Sequence, residues 1–91
     1  MCDEITEEMV IVNPLGMHAR PAATLVQTVL NYECDITIQK NGRQVNAKSI
    51  MGLLTLAAAH GSQVSVTCKG PDAKEAMDAV RSLFESGFGE E

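Results

Sequence analysis

The sequence predicts an α+β fold. It reads as an open-faced β-sandwich, a four-stranded antiparallel sheet with three helices on one face, in the order β-α-β-β-α-β-α. Three observations carry this. The apolar pattern switches repeatedly between a strand period of about 2 and a helix period of about 3.6. Asn41-Gly42 separates two short runs and is the dipeptide preferred in a two-residue hairpin turn, where both central residues need positive φ. The strand-like runs alternate apolar and polar, as in an antiparallel sheet solvated on one face. A ferredoxin-like domain has the same element order, and only the spatial order of the strands separates the two.

The elements follow in turn. "EEMVIVN" (7–13) is a β-rich run closed by Asn13-Pro14 and Gly16, a strand and then a loop. From Ala22, apolar residues recur at Leu25, Val26, Val29 and Leu30, one face of a helix. "DITIQK" (35–40) is a half-buried strand through Ile36 and Ile38, and "RQVNAK" (43–48) is its return. "SIMGLLTLAAAHG" (49–61) reads as a helix with Ser49 as N-cap, Gly61 as the stop and His60 near its end. "SQVSVTC" (62–68) alternates through Val64, Val66 and Cys68. The last helix begins at "GPDAKE" (70–75), where Asp72 and Glu75 form an aspartate version of the capping box. Ala73, Ala76, Met77, Val80, Leu83 and Phe84 make its buried stripe, and Gly87 and Gly89 end it.

The 91 residues suit one domain, residues 1–91, with a small core. Aromatics are limited to Tyr32, Phe84 and Phe88, so aliphatic residues must fill that core. No apolar run approaches the roughly 20 residues that span a bilayer. "MCDEITEE" lacks the basic start and apolar stretch of a signal peptide, so the expected location is the cytoplasm. The three cysteines have no metal-motif spacing; Cys68 reads as core, and Cys2 and Cys34 as incidental. A structural disulfide is not expected in a reducing compartment.

Seven basic and twelve acidic residues give a net charge of −5, which argues against a general nucleic-acid binder. The acids concentrate at the two ends. Residues 14–70 hold five bases (Arg20, Lys40, Arg43, Lys48, Lys69) against two acids. Charge distribution bears on association rather than on fold.

The stretch "GMHARPAA" (16–23) breaks two local rules. Pro21 belongs in a first helical turn, which places the helix start near His18 or Ala19. Histidine is an unusual N-cap. Arg20 in the first turn opposes the macrodipole, at a cost of about 0.3–1 kcal/mol. Such conflicts are expected at functional sites, and an anion resolves both. Free N–H groups at a helix start favour phosphate, and the arginine fork matches its oxygens. The positive helix end favours a neutral, nucleophilic imidazole. An exposed loop histidine beside a surface arginine fits the same residues, and nothing local decides between the two. No Cys, His or carboxylate stands at metal-ligand spacing from His18, so neither a metal nor a cofactor is expected.

Two motifs together resemble the HPr family, the histidine-containing phosphocarriers of the bacterial phosphoenolpyruvate-dependent sugar phosphotransferase system. "GMHARPAA" (16–23) is similar to the family's active-site histidine motif, and "NAKSIMGLLTLAAAHG" (46–61) to its regulatory-serine motif. The resemblance covers essentially the whole chain. It implies that His18 is phosphorylated on Nδ1 by enzyme I and passes the phosphoryl group to a IIA protein or domain. It implies that Arg20 and the backbone N–H groups of Ala19 and Arg20 hold the phosphate. The chain would then be a carrier rather than an enzyme, working as a monomer.

Ser49 resembles the target of HPr kinase/phosphorylase, whose phosphorylation slows transfer and recruits a catabolite-control regulator; as a residue it is also a plain helix N-cap. The helix from Ser49 has more apolar residues than one buried stripe needs. Ile50, Met51 and Leu54 are therefore candidate docking contacts, with Met17 beside His18 and with Lys48 facing acidic partners. Methionine adapts to several partners. The lead "NPL" (13–15) departs from the family's commonest pattern, as do the acidic ends. Neither is expected to touch the transfer site, and both leave a nitrogen-related paralogue open. The competing classes are a regulatory module read out through Ser49 and a small ligand-binding domain.

Overall fold

A computed structural model describes residues 3–56 and 58–89. The elements are β1 (Asp3–Val10), α1 (Ala19–Val29), β2 (Asp35–Lys40), β3 (Arg43–Asn46), α2 (Ile50–Thr55), β4 (Gln63–Gly70) and α3 (Ala73–Glu85). A short 3-10 turn follows at Gly87–Gly89. The strands form one sheet in the order β1-β4-β2-β3, and every neighbouring pair is antiparallel. A ferredoxin-like sheet holds its first strand in the interior. Here β1 is an edge, which decides for the open-faced sandwich.

Register explains the two faces. Ile5, Cys68 and Ile36 stand in one row across the sheet; Glu7, Val66, Ile38 and Val45 stand in the next. These rows face the helices, and Ile36, Ile38, Val64, Val66 and Cys68 are buried with Leu25, Val29, Leu53, Met77 and Val80. The opposite face carries Thr6, Thr67 and Thr37 and meets solvent. Glu7 is an acid in an inward row of an edge strand, a position that discourages pairing with a further strand. Arg81 of α3 answers it with a two-pronged contact, Nε to Oε1 at 2.9 Å and Nη2 to Oε2 at 2.6 Å. Those hydrogen bonds hold the Glu7 carboxyl below the usual range. The hairpin forms as expected, with Asn41 at φ 52° and Gly42 at φ 82°.

Several boundaries differ from the sequence reading. The first strand spans Asp3–Val10 rather than 7–13, because pairing with β4 extends through the acidic residues. The second helix stops at Thr55 rather than near Gly61. Beyond it the backbone bonds elsewhere: Ala58 O accepts the Met17 N–H at 2.8 Å, and Gly61 N–H donates to Ile11 O at 2.7 Å. His60 therefore lies exposed in a turn and ends no helix. Leu30 is the C-cap of α1 and is exposed, outside the buried stripe.

Two further readings are corrected. Asp72 precedes α3 but its side chain does not cap it. Its carboxylate instead accepts the N–H groups of Glu33 at 2.8 Å and Cys34 at 2.9 Å, pinning the loop before β2. The Glu33 bond is the main cause that lowers the Asp72 carboxyl below its usual range. Cys34 is not incidental; it is buried in the core, as is Cys68. Burial pushes both thiols up, Cys34 to about 12 and Cys68 to about 11. Cys2 lies outside the described residues.

Candidate functional site

The site is built where the β1–α1 loop meets the start of α1. Gly16 has φ +72°, and a Cβ there would come within 2.6 Å of Ala58 O. Only glycine lets this loop approach the α2–β4 connection so closely. The Met17 N–H bond to Ala58 O fastens the contact. It also turns the Met17 side chain into the core, where it is 6% exposed. Met17 is thus a packing residue, and its expected place among the docking contacts is corrected. The loop's most exposed apolar side chain is Leu15, at 76%, ahead of Val12 at 48%. Leu15 is not among the expected docking contacts, although an apolar residue between Asn13-Pro14 and a turn glycine is a visible signal.

His18 is the N-cap of α1, with extended backbone (φ −107°, ψ −167°) and no side-chain capping bond. The Ala22 N–H donates to His18 O at 3.0 Å and closes the first turn. The N–H groups of Ala19 and Arg20 stand before that bond, where a helix has no intrahelical acceptor. Ala19 and Arg20 are exposed and Pro21 is buried, so the proline anchors the turn while its neighbours face solvent. No acidic residue occupies the first turn. No ion pair among the described residues engages the Arg20 guanidinium, in contrast to Arg81. His18 is partly exposed at the surface of the fold.

Ser49 is the N-cap of α2, as its residue type predicts. Its Oγ accepts the Gly52 N–H at 3.1 Å, and its carbonyl accepts the Leu53 N–H at 3.0 Å. Leu53 is fully buried, whereas Ile50 and Leu54 are partly exposed and Met51 is 70% exposed. The apolar excess does face solvent. Lys48 is less free than expected: its ammonium donates to Tyr32 O at 2.8 Å and ties the α2 start to the segment after α1. α1 and α2 pack against each other.

The "NPL" lead also proves closer to the site than its sequence suggests. Asn13 is 1% exposed, and its Nδ2 donates to Gly16 O at 2.7 Å. Asn13 therefore braces the β1–α1 loop at Gly16, whose carbonyl also accepts the His18 N–H at 3.1 Å. A cleft of about 270 Å³ between β1 and α3 is lined by Glu7, Val10, Arg81 and Phe84, among others, and does not include His18 or Ser49. Among the described residues, no group of three His, Cys, Asp or Glu is placed to hold a metal ion. No helix among them is long and apolar enough to cross a membrane.

A partly exposed histidine at a helix N-terminus, with an arginine in the first turn that no ion pair among the described residues engages, is an arrangement suited to an anion. The known proteins agree. The family model PTS-HPr, described as the PTS HPr component phosphorylation site, matches residues 5–86. The phosphocarrier protein HPr of Cupriavidus necator is 46% identical over 94% of this chain and 97% of its own. A crystal structure of HPr-C-His from Thermoanaerobacter tengcongensis superposes with a TM-score of 0.88 at 44% identity, covering 98% of each chain. A crystal structure described as an HPr dimer from the same organism gives 0.77 at 45% identity, over 82% of this chain and 86% of that one. The chain belongs to the HPr family, the phosphocarriers of the phosphotransferase system.

Proposed function

We propose that His18 is the residue that carries the phosphoryl group, accepting it on Nδ1 from phosphorylated enzyme I and passing it to a IIA protein or domain. The observation that carries this reading is the start of α1, where His18 is the N-cap without a side-chain capping bond and no ion pair among the described residues engages Arg20 in the first turn. The ring lone pair forms the N–P bond as the donor's bond to phosphorus breaks; the reverse exchange hands the group on. Such transfers need in-line positioning and charge stabilisation rather than covalent help. The Ala19 and Arg20 N–H groups and the Arg20 fork supply that stabilisation. The chain is modified and regenerated by its partners, which makes it a carrier rather than an enzyme. We place it in the cytoplasm as one domain acting as a monomer, since His18, Arg20 and the α1 start all lie in one chain.

Ile50, Met51 and Leu54 form the docking surface for both donor and acceptor, supported by their exposure on a helix anchored through Leu53. Lys48 lies at its edge. Ser49 is the regulatory site. A phosphate there adds about −1.5 to −2 charges at a helix N-terminus, where it need not unfold the helix. The added charge would face acidic partner surfaces, slow transfer through His18 and mark the chain for a catabolite-control regulator. The resemblance of "KSIMG" to the substrate of HPr kinase/phosphorylase supports this.

Incubation with enzyme I and phosphoenolpyruvate should add one acid-labile, base-stable phosphate, absent in His18→Ala. Its persistence in that variant overturns the assignment. Incubation with the kinase and ATP should add an acid-stable phosphate that Ser49→Ala lacks.

A further inference from the structure

We propose that Asn13 is a positioning residue for transfer through His18, acting through the Gly16 carbonyl. The inference rests on the reading of His18 as the phosphoryl acceptor. Asn13 is the one buried polar side chain among the described residues. It closes a two-way clasp on Gly16: the Gly16 N–H donates to Asn13 O at 3.1 Å, and Asn13 Nδ2 donates to Gly16 O at 2.7 Å. The same Gly16 carbonyl accepts the His18 N–H at 3.1 Å. One oxygen therefore receives both the Asn13 amide and the backbone that holds the imidazole.

The rest of the loop leaves this oxygen as the remaining adjustable point. Gly16 is pressed against Ala58 and Ala59, and Met17 is fastened to Ala58 O. On the helix side, His18 O is committed to the Ala22 N–H. Between these anchors, the Gly16–Met17 and Met17–His18 peptide planes set where the ring stands relative to the Ala19 and Arg20 N–H groups. A buried amide on the Gly16 oxygen holds those planes. The C-terminal turn backs the clasp, since a Cβ on Gly87 would lie 3.6 Å from Asn13 Cβ. Asn13 itself is sealed from solvent and offers nothing to a docking partner.

This geometry predicts a split in the kinetics. Asn13→Asp sets a carboxylate oxygen against the Gly16 carbonyl, while Asn13→Ser is too short to reach it. Both keep the Gly16 N–H bond to Asn13 O, and circular dichroism at the assay temperature checks that they fold. With each variant as the varied substrate of enzyme I, kcat should fall about tenfold, the scale set by small misplacements of a reacting group. KM should stay near wild type, because the exposed apolar side chains of α2 are untouched. A purely structural role would instead lower the folded fraction, raising apparent KM without changing kcat. If Asn13→Asp does not fold, Asn13→Ser carries the comparison. A kcat close to wild type in a folded variant, or a change confined to KM, overturns the proposal. A wild-type chain that takes no phosphate on His18 overturns the underlying assignment instead, and the two failures are distinguished by the labelling alone.

Discussion

The starts of α1 and α2 solve the same problem in opposite ways. Each helix leaves N–H groups without intrahelical acceptors. At α2, Ser49 turns its own hydroxyl onto the Gly52 N–H and satisfies the helix from within. At α1, His18 makes no such bond, no acid sits in the first turn, and a cation does. The second arrangement is the poorer one for an isolated helix and the better one for an incoming anion. The difference separates a helix start satisfied by its own side chain from one that an anion would complete. α3 adds a third case, where Asp72 spends its carboxylate on the loop before β2.

The contrast can be broken most sharply at Arg20. Arg20→Ala should slow phosphoryl transfer by about 10²–10³-fold, the usual effect of losing one donor to a developing anion. The same change should leave the fold intact and raise stability by about 0.3–1 kcal/mol, because it removes a cation from a helix N-terminus. Stopped-flow transfer and urea denaturation of one preparation test both halves. Unchanged transfer would end the assignment of Arg20.

At the other helix the signs reverse. Ser49→Ala should cost about 1 kcal/mol of stability through loss of the cap, while transfer through His18 proceeds at the wild-type rate in the absence of the kinase. Denaturant midpoints and transfer rates on the same samples read this out.

Gly16→Ala links the two regions, since its Cβ would run into Ala58 and Ala59. It should lower the melting temperature and slow transfer together. A variant that is destabilised yet transfers normally would detach the loop's packing from His18.

The smallest effect lies at the third helix start and depends on pH. The folded Asp72 carboxyl is held below its ordinary value of 3.8, and that of Glu7 below its ordinary 4.5. Both contribute stability that is present above those ordinary values and is lost as pH falls through and below them. The melting temperature should therefore decline at acid pH, less steeply in Asp72→Asn. Equal slopes in the two proteins would count against the pinning of the Glu33–Cys34 loop by Asp72 across 39 residues of chain.

Much of this was legible in local pattern. The Asn41-Gly42 hairpin, the α1 stripe from Ala22 to Val29 and the Ser49 cap depend on residues within one turn or one strand pair, so their chemistry is written locally. Pro21 likewise located the α1 start within a residue. The misreadings share a cause. Met17 reads as a docking contact and Cys34 as incidental because nothing in their neighbourhoods shows which distant segment covers them. The run after Thr55 looked helical because its alanines favour a helix, yet its backbone is taken by Met17 and Ile11. Asn13 looked like punctuation and proved to hold the Gly16 carbonyl.

By itself, the sequence determined the element order, the polarity of each strand face and the misfit of His18 and Arg20 at a helix start. These follow from side-chain period and from the unfilled N–H groups of any first turn. Tertiary structure alone decided the strand order, which made β1 an edge, and the burial of Met17, Cys34 and Asn13. It also decided which carbonyls the β1–α1 loop would meet. Those outcomes depend on contacts between segments far apart in the chain, where burial and hydrogen bonding are set by what folds on top and not by the residue's neighbours.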